Sequence, residues 1–548
     1  MTELTTQAFS SRRRWTVLTV LCLSLIVVTI DTTILNVALP SLVDQLHASA
    51  SSLQWIVDAY TVVFAGLLLT AGALGDRFGR RGSLGWGLLV FGLASGGSAL
   101  ATSPDMLIAL RALTGIGAAL VFPATLSILT NVFPDPVERQ RAIAVWAGTA
   151  GIGIGLGPVA GGLLLRHFFW GSVFWVNVPV CAIALLGVML LVPSSRDAEH
   201  APLDLIGAAL SIVGLSTLVY AVIEGPARGW GSAPVVGGFV AAVGFLVAFA
   251  LVELRRRRPM LDLRLFRNPR FTAASLAMTS LYFCLFGVIF FQTQQLQFVL
   301  GFDPLGAGLL VLPFAAVLLV VANTTPRLVR WIGTRAVITS GLALVALSMA
   351  ARVPFTVRTS STIVVLSSCV FAFGMGLVIA PATASIMGAV PAGRAGVGSA
   401  INDTTRQVGG ALGVAIMGSV GASLYRHEFT RRVTGAKLPL AVTDHAVDSI
   451  GSALVTARGL PAGTAATVTD AARVAFMHGF DVAHLVGCAV AVLGAGLAYA
   501  FLPANMKMGS AAKVTAPAEP EAVPVAAAGM DDVDELADLG ALATEVDV

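Results

Sequence analysis

Long apolar stretches recur along this chain, and they constrain its fold more than any other feature. Fourteen such segments lie between clusters of charged residues, proline or glycine. One helical crossing of a bilayer needs about 20 apolar residues, and each segment comes close to that length. The segments are therefore interpreted as tilted transmembrane helices. Their starts lie near Trp15, Leu53, Ser83, Met106, Ala142, Val173, Leu205, Val235, Phe271, Leu305, Ala336, Ser361, Val397 and Val482.

The composition agrees with a membrane protein. Of the 548 residues, 56% are hydrophobic and only 12% are charged, and the mean hydropathy is +0.85. Soluble domains are nearer a quarter charged, so a water-soluble globular chain is excluded. The net charge of +4 is too balanced to indicate nucleic-acid binding. The sequence predicts an all-α polytopic membrane protein without a nucleic-acid partner.

The basic residues predict the orientation. With the amino terminus in the cytoplasm, the inner segments hold 22 lysines and arginines and the short outer loops hold four. Cytoplasmic loops of membrane proteins carry this excess. Two of the four, Arg352 and Arg358, are assigned to the outer loop between spans eleven and twelve. We therefore predict a multi-pass plasma membrane protein with both termini in the cytoplasm and membrane lipid around it.

Ionisable residues inside the spans are candidate functional groups, because a charge at bilayer depth costs about 2.5–3.5 kcal/mol or more. Depth along the helices places three of them at one level, where they can share a cavity. An aspartate facing an arginine there is either a static pair or a proton-coupling device, since protonation of the acid frees the arginine. Asp58 has the same two interpretations, and it could instead face an outer vestibule. The three residues are Asp31, Asp58 and Arg111.

Asp403 and Arg406 lie three residues apart on span thirteen. This spacing puts them on one helix face, where they can pair with each other. The pairing lowers their joint cost of burial. A static pair and a coupling role are both open for them.

Several kinds of chemistry find no support in the sequence. The three lysines do not fit a phosphate-binding G-x-x-x-x-G-K loop. The five cysteines are far apart and show neither metal-ligand nor disulfide spacing. There is no H-E-x-x-H pair and no nucleophile elbow. We predict no metal, no cofactor and no enzymatic activity.

A glycine- and arginine-rich sequence joins spans two and three. It matches the G-x-L-x-D-R-x-G-R-R signature and resembles the cytoplasmic gate motif of the major facilitator superfamily. A degenerate copy without the acid follows span ten, with Gly333 in the register of Gly79. The copy indicates two related halves, which place substrate sites at their interface. The gate residues are Gly72, Asp76, Arg77, Gly79, Arg80 and Arg81.

Three further motifs are similar to those of the fourteen-span drug:proton antiporters of this superfamily. Span one carries D-x-T-x-x-N-x-A-L-P from Asp31 to Pro40, and span four carries R-x-x-x-G-x-G from Arg111 to Gly117. Span five carries a glycine-proline element that bends a helix and allows close packing. The resemblance is nearest to the actinobacterial antibiotic-resistance and quaternary-ammonium exporter branch. The residues of the antiporter element are Gly153, Gly157, Pro158, Gly161 and Gly162.

The resemblance implies a domain organisation. A cytoplasmic amino terminus (1–14) precedes a six-helix half (15–192) and an inserted helix pair (193–254). A second six-helix half (255–502) includes a long outer loop (425–474). An acidic cytoplasmic tail (503–548) follows, and its composition predicts disorder.

The resemblance also implies a mechanism, namely proton-coupled export of amphipathic drugs, antibiotics or toxic compounds by a monomer with alternating access. Protons enter at Asp31 with Arg111 as partner. Two alternatives are a proton-coupled transporter of a small metabolite and a membrane-embedded enzyme or sensor. The glycine-proline element of span five speaks against an importer. The predicted cavity residues are Asn36, Tyr60, Trp146, Phe286, Phe290 and Gln292.

Overall fold

A computed structural model of the chain describes residues 11–194, 204–256, 259, 261–390, 395–434 and 440–503. Every regular element within these ranges is helical, which confirms the all-α prediction for them. The predicted acidic tail lies outside the described residues after Pro503.

The helices form three sets along the chain. The amino-terminal helices are α1 (Ser11–Leu46), α2 (Ala50–Phe78), α3 (Arg80–Ala99), α4 (Pro104–Val132), α5 (Pro136–His167), α6 (Ser172–Trp175) and α7 (Asn177–Leu191). A hairpin follows, made of α8 (Leu205–Arg228) and α9 (Ala233–Arg255). The carboxy-terminal helices are α10 (Pro269–Gln294), α11 (Pro304–Leu309), α12 (Leu312–Arg352), α13 (Ser361–Met387), α14 (Ala395–Val433), α15 (Leu440–Ala446), α16 (Ile450–Ala457) and α17 (Ala462–Phe501).

Side-chain caps explain where several helices begin. Ser49 accepts a hydrogen bond from Ser52 N at 3.1 Å before α2. Ser103 accepts one from Met106 N at 3.2 Å before α4. Asp135 caps α5 in the same way. Each cap satisfies a backbone N–H that has no partner in the first helical turn.

Eleven stretches of the described residues are long and apolar enough to cross a membrane. They include Pro304–Arg352 as one stretch and leave out α3 and α5. All fourteen predicted segments fall on helices, but the count of fourteen spans remains a prediction. The last segment differs most, because α17 begins at Ala462, well before the predicted start near Val482. Much of the predicted long loop is thus helical.

The same glycine crossing occurs in the amino-terminal and the carboxy-terminal helices. Gly79 between α2 and α3 has φ 109°, and Gly333 inside α12 has φ 84° and breaks that helix into two arms. Only glycine adopts such values readily. Eight residues further on, Gly87 crosses Gly117 of α4, and the corresponding Gly341 crosses Gly374 of α13.

The glycine crossings bring backbones into contact. A Cβ on Gly117 would lie 2.9 Å from Gly87 O, and one on Gly374 would lie 2.5 Å from Gly341 O. Side chains of any size would therefore separate these helices. The repeated geometry agrees with the register in which the two sequence copies align.

The α8–α9 hairpin lies against both helix sets. Residues of α8 share one apolar cluster with α2 and α14. Many large apolar side chains of α7, α9 and α17 are exposed, among them Leu190, Val240 and Leu493. Exposed apolar surface of this extent is typical of a lipid-facing surface. The cluster members are Val62, Ala65, Leu215, Val219, Val222, Ile223, Ala411 and Ala415.

Candidate functional site

The structure brings Asp31 of α1 and Arg111 of α4 together as a fully buried ion pair. Arg111 Nη1 donates to Asp31 Oδ2 at 2.5 Å, and the two side chains are 1% and 0% exposed. Asn177 Nδ2 donates to Asp31 Oδ1 at 2.9 Å and lies 3.0 Å from Ser95 Oγ. Four helices thus converge on one carboxylate, and we call Asp31, Ser95, Arg111 and Asn177 the amino-terminal polar cluster.

The guanidinium of Arg111 is held from several sides. Its Nε donates to Ile56 O of α2 at 3.2 Å. The Tyr60 ring lies 4.5 Å and the Phe174 ring 5.9 Å from its central carbon. A guanidinium over aromatic faces is stabilised by their quadrupoles. These contacts therefore fix the position of the guanidinium opposite Asp31.

Asp58 lies on α2 between Ile56 and Tyr60, which both contact Arg111, but it is not bonded to the amino-terminal polar cluster. Of the three ionisable residues predicted at one level, Asp31 and Arg111 therefore form a bonded pair, and Asp58 is not bonded to them. Asp58 is fully buried, and neither carboxyl oxygen has a hydrogen-bond partner among the described residues. An ionised carboxyl without a partner at such a position is costly. Whether it is a protonation site remains a prediction.

Asp403 and Arg406 of α14 pair as the spacing predicts. Arg406 Nη1 lies 3.3 Å from Asp403 Oδ1. The arginine also covers the Tyr282 ring of α10 at 4.7 Å. This pair is partly exposed, unlike Asp31 and Arg111. Its geometry is compatible with both interpretations given above.

The predicted antiporter element forms the contact of α5 with α1. A Cβ on Gly153, Gly157 or Gly161 would overlap atoms of the α1 segment around Thr29, Thr33 and Ile34. The next glycine of the element, Gly162, abuts the start of α11. This element therefore packs against both the amino-terminal and the carboxy-terminal helices.

A narrow cavity of about 50 Å³ lies where α1, α5, α10, α11 and α12 meet. Two of the six predicted cavity residues, Asn36 and Gln292, line it. Its other lining residues are Thr33, Val37, Pro158, Leu285, Val288, Ile289, Thr293, Leu296, Ala307, Val311 and Phe314.

The remaining predicted cavity residues lie elsewhere. Tyr60 packs under Arg111. Trp146 donates a hydrogen bond to Thr125 Oγ1 at 3.3 Å. Phe290 packs edge-on against Phe291, and Phe286 lies beside Tyr282.

The predicted gate residues Gly72, Asp76, Arg77, Gly79, Arg80 and Arg81 surround the junction of α2 and α3. Arg80 Nη1 lies 3.5 Å from Ser127 O of α4, and Arg81 donates to Met189 O of α7. These bonds tie the junction to other amino-terminal helices. The side chain of Asp76 lies outside the described part of the structure, so its predicted role as a latch remains a prediction.

Sequence reasoning missed a second buried cluster. Arg352, assigned to an outer loop, is 0% exposed at the end of α12. Its Nη1 donates to Gln292 Oε1 at 3.2 Å and its Nη2 to Ser368 Oγ at 2.9 Å. His484, fully buried in α17, lies within reach of its charge. We call Gln292, Arg352, Ser368 and His484 the carboxy-terminal polar cluster.

One sequence signal could have indicated this cluster. Arg352 directly follows an unbroken apolar run and precedes a short loop. The early start of α17 places His484 deep in a helix rather than at its edge. No group of three or more metal-ligand side chains occurs within the ranges that the structure describes.

The chain is similar to known proteins. The Major Facilitator Superfamily profile matches residues 21–414. The multidrug efflux pump LfrA of Mycolicibacterium smegmatis is 36% identical over 487 residues, which are 88% of this chain and 96% of LfrA. The tetracenomycin C resistance and export protein of Streptomyces glaucescens is 32% identical over 493 residues, which cover 89% of this chain and 91% of that protein.

A solved structure has the same fold. It is a bacterial homologue of the human lysosomal transporter Spinster in an inward-facing, unoccupied conformation. The TM-score is 0.61 at 18% identity, with 89% of this chain and 98% of that chain covered. At this identity the likeness concerns the fold alone.

Proposed function

Because this chain belongs to the Major Facilitator Superfamily, we propose that it is a proton-coupled antiporter. It exports amphipathic drugs, antibiotics or toxic compounds across the plasma membrane by alternating access. The family indicated by the sequence motifs is confirmed, and the chain is a multi-pass membrane transporter. Its relatives are named for multidrug efflux and for antibiotic resistance and export.

The observation that carries the proposal is the buried Asp31 carboxylate with its two donors. The Arg111 guanidinium and the Asn177 amide both donate hydrogen bonds to this carboxylate. A proton on Asp31 removes the charge that balances Arg111, so the protonated cluster has a different stable arrangement. If the proton binds more tightly to one of the two conformations of the transporter, its binding shifts the equilibrium toward that conformation.

Asp31 is linked to the cavity through α1. Thr33, Asn36 and Val37 follow it on the same helix and line the cavity. The glycines of α5 hold this stretch of α1 without intervening side chains. Protonation of Asp31 and occupation of the cavity therefore act on one short helix segment, which supports coupling between them.

The cavity is narrow in this conformation. Drug-sized ligands need pockets of about 300–1,000 Å³, far more than the 50 Å³ found. Contacts between the helix sets lie at the end of the bundle where α1 ends. Arg458 pairs with Asp44 at 2.6 Å, and Gln297 Nε2 donates to Val37 O at 3.0 Å. With the predicted orientation this is the outer end, so these contacts must break before the cavity opens outward.

Asp31→Asn tests the proposal. Asparagine keeps the shape of the side chain but takes no proton, so we expect proton-driven drug efflux from energised cells to fall to the level of cells without the protein. Glu224→Gln is the matched control, because it makes the same carboxyl-to-amide change on a surface pair with Arg228.

Undiminished efflux by Asp31→Asn that still responds to the pH gradient would contradict the assignment. Accumulation of a metabolite in right-side-out vesicles, driven by an inward proton gradient, would favour the importer alternative. Protons, one amphipathic substrate and lipid are the only partners that the proposal requires.

A further inference from the structure

A second cavity, of about 650 Å³, lies where the end of α14, the helix α17 and the loop between α12 and α13 meet. With the predicted orientation it is on the outer face of the protein, and we call it the outer pocket. Unlike the narrow cavity, it has a volume within the range of about 300–1,000 Å³ that drug-sized ligands need. Its lining residues are Phe355, Thr356, Val357, His427, Glu428, Arg431, Arg432, Val474, Met477, His478 and Asp481.

The apolar residues of the outer pocket belong to a well-packed part of the structure. Phe355 and Met477 line the pocket and are nevertheless buried. The Phe355 ring stacks on Phe480 of α17, with the ring centroids 6.3 Å apart. Aromatic rings attract cations to their faces, and methionine adapts to ligands of different shape. These residues therefore suit the apolar or aromatic body of a ligand.

The arginines of the outer pocket already have an acidic partner. Arg431 Nε and Nη2 donate to the two carboxyl oxygens of Glu428 at 2.9 and 2.8 Å, and Arg432 Nε donates to Glu428 Oε1 at 2.8 Å. The side chains of the two arginines are 67% and 38% exposed, so water and salt screen their charges. An anionic ligand would have to compete with Glu428 for them.

Asp481 differs from Glu428 in its surroundings. Within the described ranges it forms no ion pair, and its Oδ1 is shielded from solvent without a hydrogen-bond partner. A carboxylate that is partly withdrawn from water and lacks donors is costly, and a bound cation lowers that cost. Asp481 is therefore the residue of the outer pocket that gains most from a ligand of positive charge.

We propose that the outer pocket is a second ligand site, which binds an organic cation of the ammonium type on an apolar or aromatic body. Asp481 supplies the counter-charge, and Phe355, Val357 and Met477 pack against the body. Such a cation is either a compound dissolved in the outer medium or the headgroup of a lipid such as phosphatidylethanolamine. The outer pocket shares no lining residue with the narrow cavity. The inference goes beyond drug export, because binding needs neither transport nor a proton gradient.

Binding of propidium to the purified full-length chain in dodecyl maltoside micelles tests the site. Propidium is an aromatic dication whose fluorescence anisotropy rises when it is bound, and the detergent is uncharged. Asp481→Asn keeps the size of the side chain and removes its charge, so we expect the affinity to fall about fivefold, as for one ion pair near a surface. Asp448→Asn is the matched control, because it changes a carboxylate that pairs with Arg426 and is not in the lining. Its affinity should equal that of the wild type.

Val357→Trp is the second variant, and it tests the volume of the outer pocket independently of its charge. The indole would fill part of the pocket from the loop between α12 and α13, so we expect the propidium affinity to fall here too. Val320→Trp is its control, because Val320 is exposed on α12 and does not line the pocket. A loss of affinity in Val357→Trp without a loss in Val320→Trp locates the binding in the outer pocket.

Two soluble displacers test the sign of the charge. Benzyltrimethylammonium and phenylmethanesulfonate share a benzyl group and carry opposite charges. We expect the cation to displace propidium and the anion not to displace it. Displacement by phenylmethanesulfonate alone, or an unchanged affinity in both Asp481→Asn and Val357→Trp, would overturn the inference. The efflux test of Asp31→Asn does not depend on these results, so failure of this inference and failure of the proposed function are distinguishable.

Added lipid identifies the source of the cation. Displacement of propidium by phosphatidylethanolamine, with none by phosphatidylglycerol, would show that a lipid ammonium group occupies the outer pocket. If neither lipid displaces propidium, the site takes a soluble compound. Both results support a cation site, whereas displacement by phosphatidylglycerol alone would contradict it.

Discussion

The two polar clusters are built on matching frameworks and differ in charge. Arg111 and Ser368 are each the eighth residue of their helix, in α4 and α13. In the amino-terminal cluster, the arginine faces Asp31 and forms a buried ion pair. In the carboxy-terminal cluster, the arginine lies on α12 instead and faces the neutral Gln292.

This difference separates two tasks that one fold can perform. A carboxylate with two donors can bind a proton and change the charge of its surroundings. An arginine bonded to an amide keeps its charge and fixes the direction of a donor. The comparison supports the proposal that the amino-terminal cluster takes part in proton coupling.

The largest expected difference between the two clusters is in the free energy of unfolding when Arg111 or Arg352 is replaced. Arg111→Gln leaves the Asp31 carboxylate buried with one amide donor, so we expect the free energy of unfolding to fall by about 3–5 kcal/mol. Arg352→Gln removes a charge that has no counter-ion and should cost about 1 kcal/mol or less. Titration with sodium dodecyl sulfate in mixed micelles measures both. Asp31→Asn with Arg111→Gln should recover much of the loss, and equal losses in the two single variants would contradict the comparison.

A smaller difference is expected for the residues that complete each cluster. Asn177→Leu removes a donor to an ionised group and should cost about 1.5–3 kcal/mol. Among the described residues, the side chain of His484 forms one hydrogen-bond contact, to Phe480 O at 2.7 Å, and its Nε2 has no partner. His484→Leu should therefore cost about 1 kcal/mol or less. The same unfolding titration measures both variants. A greater loss of stability in His484→Leu than in Asn177→Leu would contradict the view that the amino-terminal cluster holds the charged group that most needs its partners.

The glycine crossings should show no difference between the helix sets. Gly117→Ala and Gly374→Ala each place a methyl group against a backbone carbonyl, so each should cost about 1–3 kcal/mol. Gly496→Ala in α17 is the control, because a Cβ there meets no atom within 4 Å. It should be neutral or slightly stabilising. If only one of Gly117→Ala and Gly374→Ala lowered the free energy of unfolding, the two crossings would share a backbone geometry without sharing its contribution to stability.

The sequence was sufficient for the fold class and the family, because apolar run length and the gate motif are local signals. It also placed Asp31 and Arg111 at one depth, since the rise of a helix is fixed. The sequence could not show how each helix is rotated about its axis, and this rotation determines which side chains face one another. For that reason Asn177 was not recognised as a second donor to Asp31, and Asp58 was expected beside a pair that it does not touch.

Helix ends were the second source of error. Arg352 ends a helix, and a charge at the end of an apolar run reads as a loop residue. The backbone holds it inside because α12 continues through Gly333 as two arms and returns Arg352 to α10 and α13. The last span was predicted to start near Val482 because the alanine- and threonine-rich stretch before it looks like a loop, although α17 begins at Ala462 and includes that stretch.

The position of α8 affects how a membrane-dissolved compound reaches the cavity. The bundle has two seams between its helix sets, one where α2 meets α14 and one where α5 meets α11. At the first seam α8 fills the groove with Leu215, Val219 and Val222. At the second seam the described helices pack without a comparable cover. A compound dissolved in the acyl chains would therefore meet α8 at one flank and the direct contact of α5 with α11 at the other, so the two flanks of the bundle differ within the plane of the bilayer.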